Sequence, residues 1–302
     1  MNRRRWASCI SLLLAAACGG EPAPGNDTAV AEGVPPAGDD RPATGSTWDA
    51  SAGAFFAVRT PAGGAWLVNP AWGAAQALDT LTAASWDMEG ATITLLDGGR
   101  VVGTGRVSAL RYDSTCAGWP TASLVVDTGD TPAWRVAFQA DRVEGLGFDS
   151  LPNLSAPDSA IRVRDGALAA SRLPDDTATA FRGRPFTVRQ ASRFSIGGDT
   201  VATLYEVQRL VPQEANPLHE QLLIIAEHTA AGDRPGVFHE RHVGLEEGMA
   251  SIELLAVLRV KASGRVGILV RREREAGFVL EWIERHPRLG WRVRWRSAID
   301  GC

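Results

Sequence analysis

The side chains that first invite a chemical reading are the histidines. Three of the five, His228, His239 and His242, lie close together in the chain. A zinc-binding helix of the H-E-x-x-H type needs two histidines four apart, with the glutamate between them, so that both face one metal. His239-Glu240-Arg241-His242 sets them three apart in a segment that reads as strand or loop, and on a strand they would face opposite sides. No metal site is expected. The acidic pairs Asp175-Asp176 and Glu246-Glu247 stand among turn residues and read as solvated. Gly98-Gly99 and Gly103-Thr104-Gly105 do not make a phosphate loop, because no Lys-Ser or Lys-Thr follows and no helix begins there. No nucleotide or other cofactor is implied, and no G-x-S-x-G nucleophile turn occurs. No catalytic residue is assigned.

Arginine and tryptophan carry the remaining signal. Trp291-Arg292-Val293-Arg294-Trp295-Arg296 alternates strictly, which as a strand puts Trp291, Val293 and Trp295 on one face and Arg292, Arg294 and Arg296 on the other. The apolar face is expected in a core. The arginine face then meets water, with Glu281 and Glu284 as neutralising partners, or an anionic envelope component such as lipopolysaccharide phosphate or an acidic polymer. Arg271, Arg272 and Arg274 would add to the same basic patch. Ten tryptophans against two tyrosines read first as core fillers, with stacking on sugar faces as the alternative.

The chain opens MNRRRWASCISLLLAAAC: a run of arginines, a short apolar stretch and small residues leading into a cysteine, which is the order of an export signal. The stretch from Ala7 to Ala17 is too short to span a bilayer, which takes roughly 20 residues. Leu14-Ala15-Ala16-Ala17-Cys18 resembles the lipobox of bacterial lipoproteins, with Ala15 where that family more often has leucine. The resemblance implies cleavage before Cys18, acylation of Cys18 and attachment to a membrane outside the cytoplasm. No aspartate follows the cysteine, so the outer membrane is the expected address. Phe148-Asp149-Ser150-Leu151 is similar to the GDSL block of a lipase family, but it lies mid-chain with no Asp-x-x-His near the end. It reads as a loop leading into a helix cap.

Composition bounds the rest. The chain has 302 residues, 45% of them hydrophobic and 22% charged, with a net charge of -4. That is ordinary for a globular protein, and a net acidic chain has no bias toward nucleic acid. With Cys9 in the signal and Cys18 lipidated, Cys116 and Cys302 remain for the folded part. In an oxidising compartment they are expected to be joined. Trp119, close to Cys116, is expected to pack over that bridge.

The elements that must position these groups follow from punctuation and period. Residues 1–17 read as the signal and 18–46 as the lipidated cysteine and a disordered spacer rich in Pro, Gly, Ala and Asp. Residues 47–150 read as a β lobe, with its clearest hairpin at Thr92 to Leu96 and Val101 to Tyr112 around Asp97-Gly98-Gly99, and Gly103 and Gly105 marking a bulge or bend. Residues 151–188 read as a helical connection. There Ser155-Ala156-Pro157-Asp158 has a capping-box shape, and a helix to about Arg172 is expected to set Ile161 and Leu168 against the core, weakened by Gly166. Residues 189–302 read as a second antiparallel lobe ending in strands Leu254 to Val260, Val266 to Arg272, Phe278 to Glu284 and Trp291 to Ser297.

This meander resembles a blade of the FG-GAP type of β-propeller repeat. In that family an Asp- and Gly-rich loop binds calcium, whereas here the matching loop, Lys261-Ala262-Ser263-Gly264-Arg265, has no carboxylate. Without a second copy at a fixed period, no full propeller is expected. The fold class is therefore mainly β, two antiparallel lobes joined by a helical segment. The function expected is that of an envelope lipoprotein acting by binding or structural contact, with an extracytoplasmic hydrolase or an accessory subunit of an envelope complex as alternatives.

Overall fold

The computed structural model describes residues 47–72, 88–112, 118–127, 133–174, 179–213, 217–275 and 277–300, apart from the side chains of 235 and 236. These residues form a mainly β fold with one α-helix. Strands β1 (Phe56–Arg59), β2 (Ala65–Val68), β3 (Thr92–Asp97), β4 (Arg100–Arg111), β5 (Thr121–Val126) and β6 (Val136–Gln139) close a barrel in the order β1-β2-β5-β4-β3-β6. The β3–β4 turn is made by Gly98 at φ 53° and Gly99 at φ 74°, the pair of positive values that a two-residue hairpin turn requires. Leu95 pairs with Gly103 but Leu96 with Val101. Val102 is thus an extra residue, a bulge where the glycines had marked one.

The remaining strands make two five-stranded antiparallel sheets. β7 (Val143–Gly145) joins β13 (Ser251–Val260), β14 (Val266–Arg274), β15 (Gly277–His286) and β16 (Gly290–Arg296) in the order β16-β15-β14-β13-β7. β8 (Phe148–Ser150) joins β9 (Thr187–Gly197), β10 (Thr200–Val211), β11 (Leu218–Thr229) and β12 (Gly232–Leu245) in the order β12-β11-β10-β9-β8. The chain therefore gives one short strand to each sheet as it leaves the barrel.

Three cores stack these parts. Phe194, Leu204, Leu223 and Ile225 pack against Ile252, Ile268, Val270 and Ile283, closing a sandwich between the sheets. Leu258, Leu269, Leu280, Trp282 and Trp295, on the outer face of the β13–β16 sheet, share a core with the barrel residues Phe56 and Phe138. Ala169 and Ala170 of helix α1 (Ala156–Ser171) cover Tyr205, Val207, Leu222 and Ile224 on the outer face of the other sheet. Barrel, sheet, sheet and helix follow one another as layers. Strands in the two middle layers are covered on both faces, which is why Leu254 to Leu258 and Leu222 to Ala226 read as unbroken apolar runs rather than alternations.

The helix starts where its cap demands. Ser155 Oγ accepts from Asp158 N at 3.3 Å and donates to Asp158 Oδ2 at 2.6 Å, with Pro157 in the first turn. Its buried face corrects the sequence expectation: Ile161 and Leu168 are 43% and 45% exposed, while Gly166, Ala169 and Ala170 are buried. Small residues let the helix lie close on the sheet. A Cβ on Gly166 would stand 2.7 Å from Tyr205 Cδ1 and 2.9 Å from Val188 Cγ2.

The last strand also departs from its pattern. Trp282 pairs with Trp295 but Ile283 with Val293, so Arg294 is inserted as a bulge. Trp291 and Val293 face the sandwich while Trp295 faces the barrel. A strict period of two cannot show an inserted residue, since the alternation of types continues across it.

Helix propensity alone predicts a gain of about 1 kcal/mol for Gly166→Ala. The contacts above predict the opposite sign, a loss of about 1–3 kcal/mol from overpacking. Urea unfolding of the variant decides between them: a higher midpoint would refute the close approach of helix and sheet.

Candidate functional site

Charged side chains enter the sandwich in matched sets. At one end Arg272 on β14, Glu281 on β15, Arg296 on β16 and Glu240 on β12 form a closed ring. Glu281 Oε2 accepts from Arg272 Nε at 2.7 Å and its Oε1 from Arg296 Nε at 2.9 Å. Glu240 Oε1 accepts from Arg296 Nη2 at 2.6 Å, and its Oε2 from Arg272 Nη2. Arg272 and Glu281 are buried, so each guanidinium is shared between carboxylates of the two facing sheets. Planar, forked donors suit this two-sided bonding.

Glu206, Gln221 and His242 lie beside the ring. Gln221 Nε2 donates to Glu206 Oε1 at 2.7 Å and to the carbonyl of Ala250 at 2.8 Å. Burial raises the Glu206 pKa, and the hydrogen bond from Gln221 only partly opposes it. His242 stands across from Gln221 in the β11–β12 ladder. Burial, joined by the positive charge of Arg272 and Arg274, lowers its pKa to about 4. The His242 imidazole is therefore uncharged at neutral pH.

Three further clusters lie elsewhere, the first of them also inside the sandwich, where Trp291 faces. Glu227 takes Arg285 Nε at 2.6 Å and Trp291 Nε1 at 2.9 Å. Burial would raise its pKa, but these hydrogen bonds outweigh it and hold the carboxyl below its ordinary value. On the helix side Arg209 binds Glu220 and the carbonyl of Phe181, and its guanidinium lies 4.6 Å from the Phe186 ring centroid. On the barrel side the buried Glu284 is met by Arg265 Nη1 at 3.2 Å, Trp282 Nε1 at 3.4 Å and Arg294 Nε at 3.9 Å, with Arg292 its cross-strand neighbour.

The arginines singled out from sequence are thus divided. Arg296 belongs to the ring inside the sandwich, while Arg292 and Arg294 lie by Glu284. His239 and His242 do face opposite sides of β12, since they pair with Ile224 and Gln221 respectively. His228 Nδ1 lies 2.8 Å from Asp233 Oδ1. No group of three or more His, Cys, Asp and Glu side chains placed to hold a metal occurs among the described residues. Ser150 Oγ meets Asn153 Nδ2 at 3.3 Å. Trp119, Trp134, Trp282, Trp291 and Trp295 are buried, as core fillers would be. Cys18, Cys116, Cys302, Asp175, Asp176 and the spacer lie outside the described residues. Among the described residues no helix is long and apolar enough to cross a membrane.

Glu281 and Glu284 were expected to neutralise the arginine face and do meet Arg296 and Arg294, but their burial, and Glu206, Glu220 and Glu227 altogether, were missed by the sequence reading. Their signal was present in part: Glu206, Glu227 and Glu281 each interrupt or end an apolar run, and charge inside such a run requires a partner. The class defined by fold and clusters is a β-barrel fused to a helix-backed sandwich with an ion-paired interior. Comparison with family models, curated proteins and solved structures finds no match.

His242 makes a testable contribution to pH dependence. Its folded pKa of about 4 lies below its ordinary 6.5, so the unfolded chain binds the proton first as pH falls. The stability that neutral His242 contributes is present above pH 6.5 and is lost progressively down to about pH 4. Comparing unfolding of wild type and His242→Gln across this window should show a shallower pH slope in the variant. Parallel slopes would refute the assignment.

Proposed function

We propose that this chain is an extracytoplasmic lipoprotein, held at the outer membrane through Cys18, that works by binding or structural contact rather than by turnover. The observation that carries the reading is Leu14-Ala15-Ala16-Ala17-Cys18 behind a short apolar stretch and three arginines. The ring of Arg272, Glu281, Arg296 and Glu240 is consistent with a scaffold, because its charged groups are spent on one another across the sheets. A second reading, an extracytoplasmic hydrolase, is favoured by the His228–Asp233 pair, since a carboxylate on Nδ1 is how a general-base imidazole is oriented. Asp233 is 70% exposed at its side chain, which suits a surface turn better than a sequestered site. Labelling cells with a fatty-acid analogue is expected to tag the wild type and not Cys18→Ser. Label retained in the variant, or none in the wild type, would defeat the anchor.

A disulfide between Cys116 and Cys302 belongs to the same reading of compartment. It is supported by the neighbours of the two cysteines: Trp119 N donates to Asp300 Oδ2 at 3.1 Å, and Asp300 bridges Phe278. That hydrogen bond brings the chain just after Cys116 to the chain just before Cys302. Closing a loop of this size would restrict the unfolded chain by roughly 5 kcal/mol in the entropic model. Alkylation of unreduced, denatured protein is expected to find both thiols blocked; two free thiols would refute the bridge.

A further inference from the structure

One end of the sandwich carries both the β13–β14 turn and the β15–β16 turn, because Gly267 pairs with Glu284 and His286 with Gly290. Here the guanidiniums of Arg265 and Arg294 meet the single buried carboxylate of Glu284, and Arg292 stands opposite it as its cross-strand neighbour. Asp49 is a second carboxylate near Arg265, but its oxygens are taken up by Ser51 and Ser263. The cluster therefore has positive charge in excess. It also lacks acceptors: Nε of Arg292 and Nε of Arg294 are sealed from water without a hydrogen-bond partner. The buried Nε atoms are out of an external ligand's reach, but the side chains of Arg265 and Arg294 are 41% and 25% exposed, and an oxyanion at those open guanidinium edges would balance the excess charge.

Two features beside the cluster indicate what brings the oxyanion. Leu289, at the tip of the β15–β16 turn, is 63% exposed, next to the exposed Arg288. An apolar tip among arginines fits a surface with a polar layer over an apolar one, which a polyanion in solution does not offer. The segment through which the chain enters the fold also lies here, since Asp49 is in contact with Ser263 and under the field of Arg265.

We propose that this end of the sandwich docks on the phosphate headgroups of the membrane that holds the protein, with Arg265, Arg292 and Arg294 meeting phosphate oxygens and Leu289 entering the interfacial layer. The proposal rests on the lipid anchor at Cys18, which keeps the fold near that surface. Docking shields the 286–296 hairpin and is set by headgroup charge, whereas anchoring is not.

The lipidated full-length protein would be reconstituted into phosphatidylglycerol and into phosphatidylcholine vesicles, and amide hydrogen exchange followed over residues 286–296. Exchange is expected to be about tenfold slower on the anionic vesicles, in line with the attraction of a few basic side chains to an anionic leaflet. The difference should vanish at about 1 M salt, where the screening length is near 3 Å. It should vanish also in Arg292→Gln/Arg294→Gln and in Arg288→Glu/Leu289→Ser, the second pair being exposed and remote from folding. Equal exchange on both vesicle types, or protection unchanged in the exposed variant, would overturn the proposal. So would equal protection on neutral vesicles given inorganic phosphate, which would mark a site for the free anion. Loss of the chain from both vesicle types on washing would instead overturn the anchor, and docking with it.

Discussion

The sheet of β13 to β16 carries apolar side chains on both faces, and neither face can be left in water. On one side Ile252, Ile268, Val270 and Ile283 need the second sheet; on the other Leu258, Leu269, Leu280, Trp282 and Trp295 need the barrel. Each such side chain is worth about 1.5–3 kcal/mol when fully buried, so uncovering either face forfeits a large part of a domain's net stability, which is only about 5–15 kcal/mol. The barrel side is sealed by aromatic contacts: Trp48 lies 5.5 Å from Phe56 and 5.4 Å from both Trp282 and Trp295, and Phe56 stacks on Phe138 at 5.3 Å. Trp282 fits only because residue 267 is glycine; a Cβ there would stand 1.9 Å from its ring.

Burying charge in such a structure is costly unless each ion is matched, since desolvation of a single ion in the interior costs several kcal/mol. The ring of Arg272, Glu281, Arg296 and Glu240 meets that condition with two cations, two anions and bonds to both carboxylate oxygens of each acid. Its energetic sense is geometric rather than additive. Glu240 comes from one sheet and the other three members of the ring from the other, so a slip of either sheet would strand a buried charge. Apolar contacts alone tolerate small slides; the ring does not. Neutral His242 and the raised Glu206 pKa show the same medium acting on groups whose burial outweighs the nearby ions of opposite sign, Glu281 for His242 and Arg189 and Arg272 for Glu206.

What the sequence made legible follows from how local each feature is. The β3–β4 hairpin, the Ser155 cap and the four final strands depend on turn residues and period within a few positions, and they lie where the pattern put them. The helix face failed because apolar residues were taken to point inward. Tyr205 and Val188 left room only for Gly166, Ala169 and Ala170 on that side, a fact held by β9 and β10 and not by the helix. The same limit applies to the ion-pair ring. Glu240 and Arg272 are visible as charges in strands, but their meeting depends on which sheets face each other, and pairing across a sandwich leaves no local mark.

The bulge at Arg294 joins these levels. Without it, Trp291, Val293 and Trp295 would all face the second sheet, and Arg296 would turn toward the barrel, away from Glu240. One inserted residue sends Trp295 into the aromatic cluster with Trp48 and Phe56 and returns Arg296 to the ring. It also acts on the strand's free side. β16 ends its sheet, and an edge that is regular and apolar invites pairing with another chain. A bulged edge with arginine at three of its positions is a poor template for such pairing. The displaced Arg294 is left beside Glu284, where Arg265 and Arg292 already stand. The positive excess at that end of the sandwich thus follows from the backbone irregularity that completes both cores.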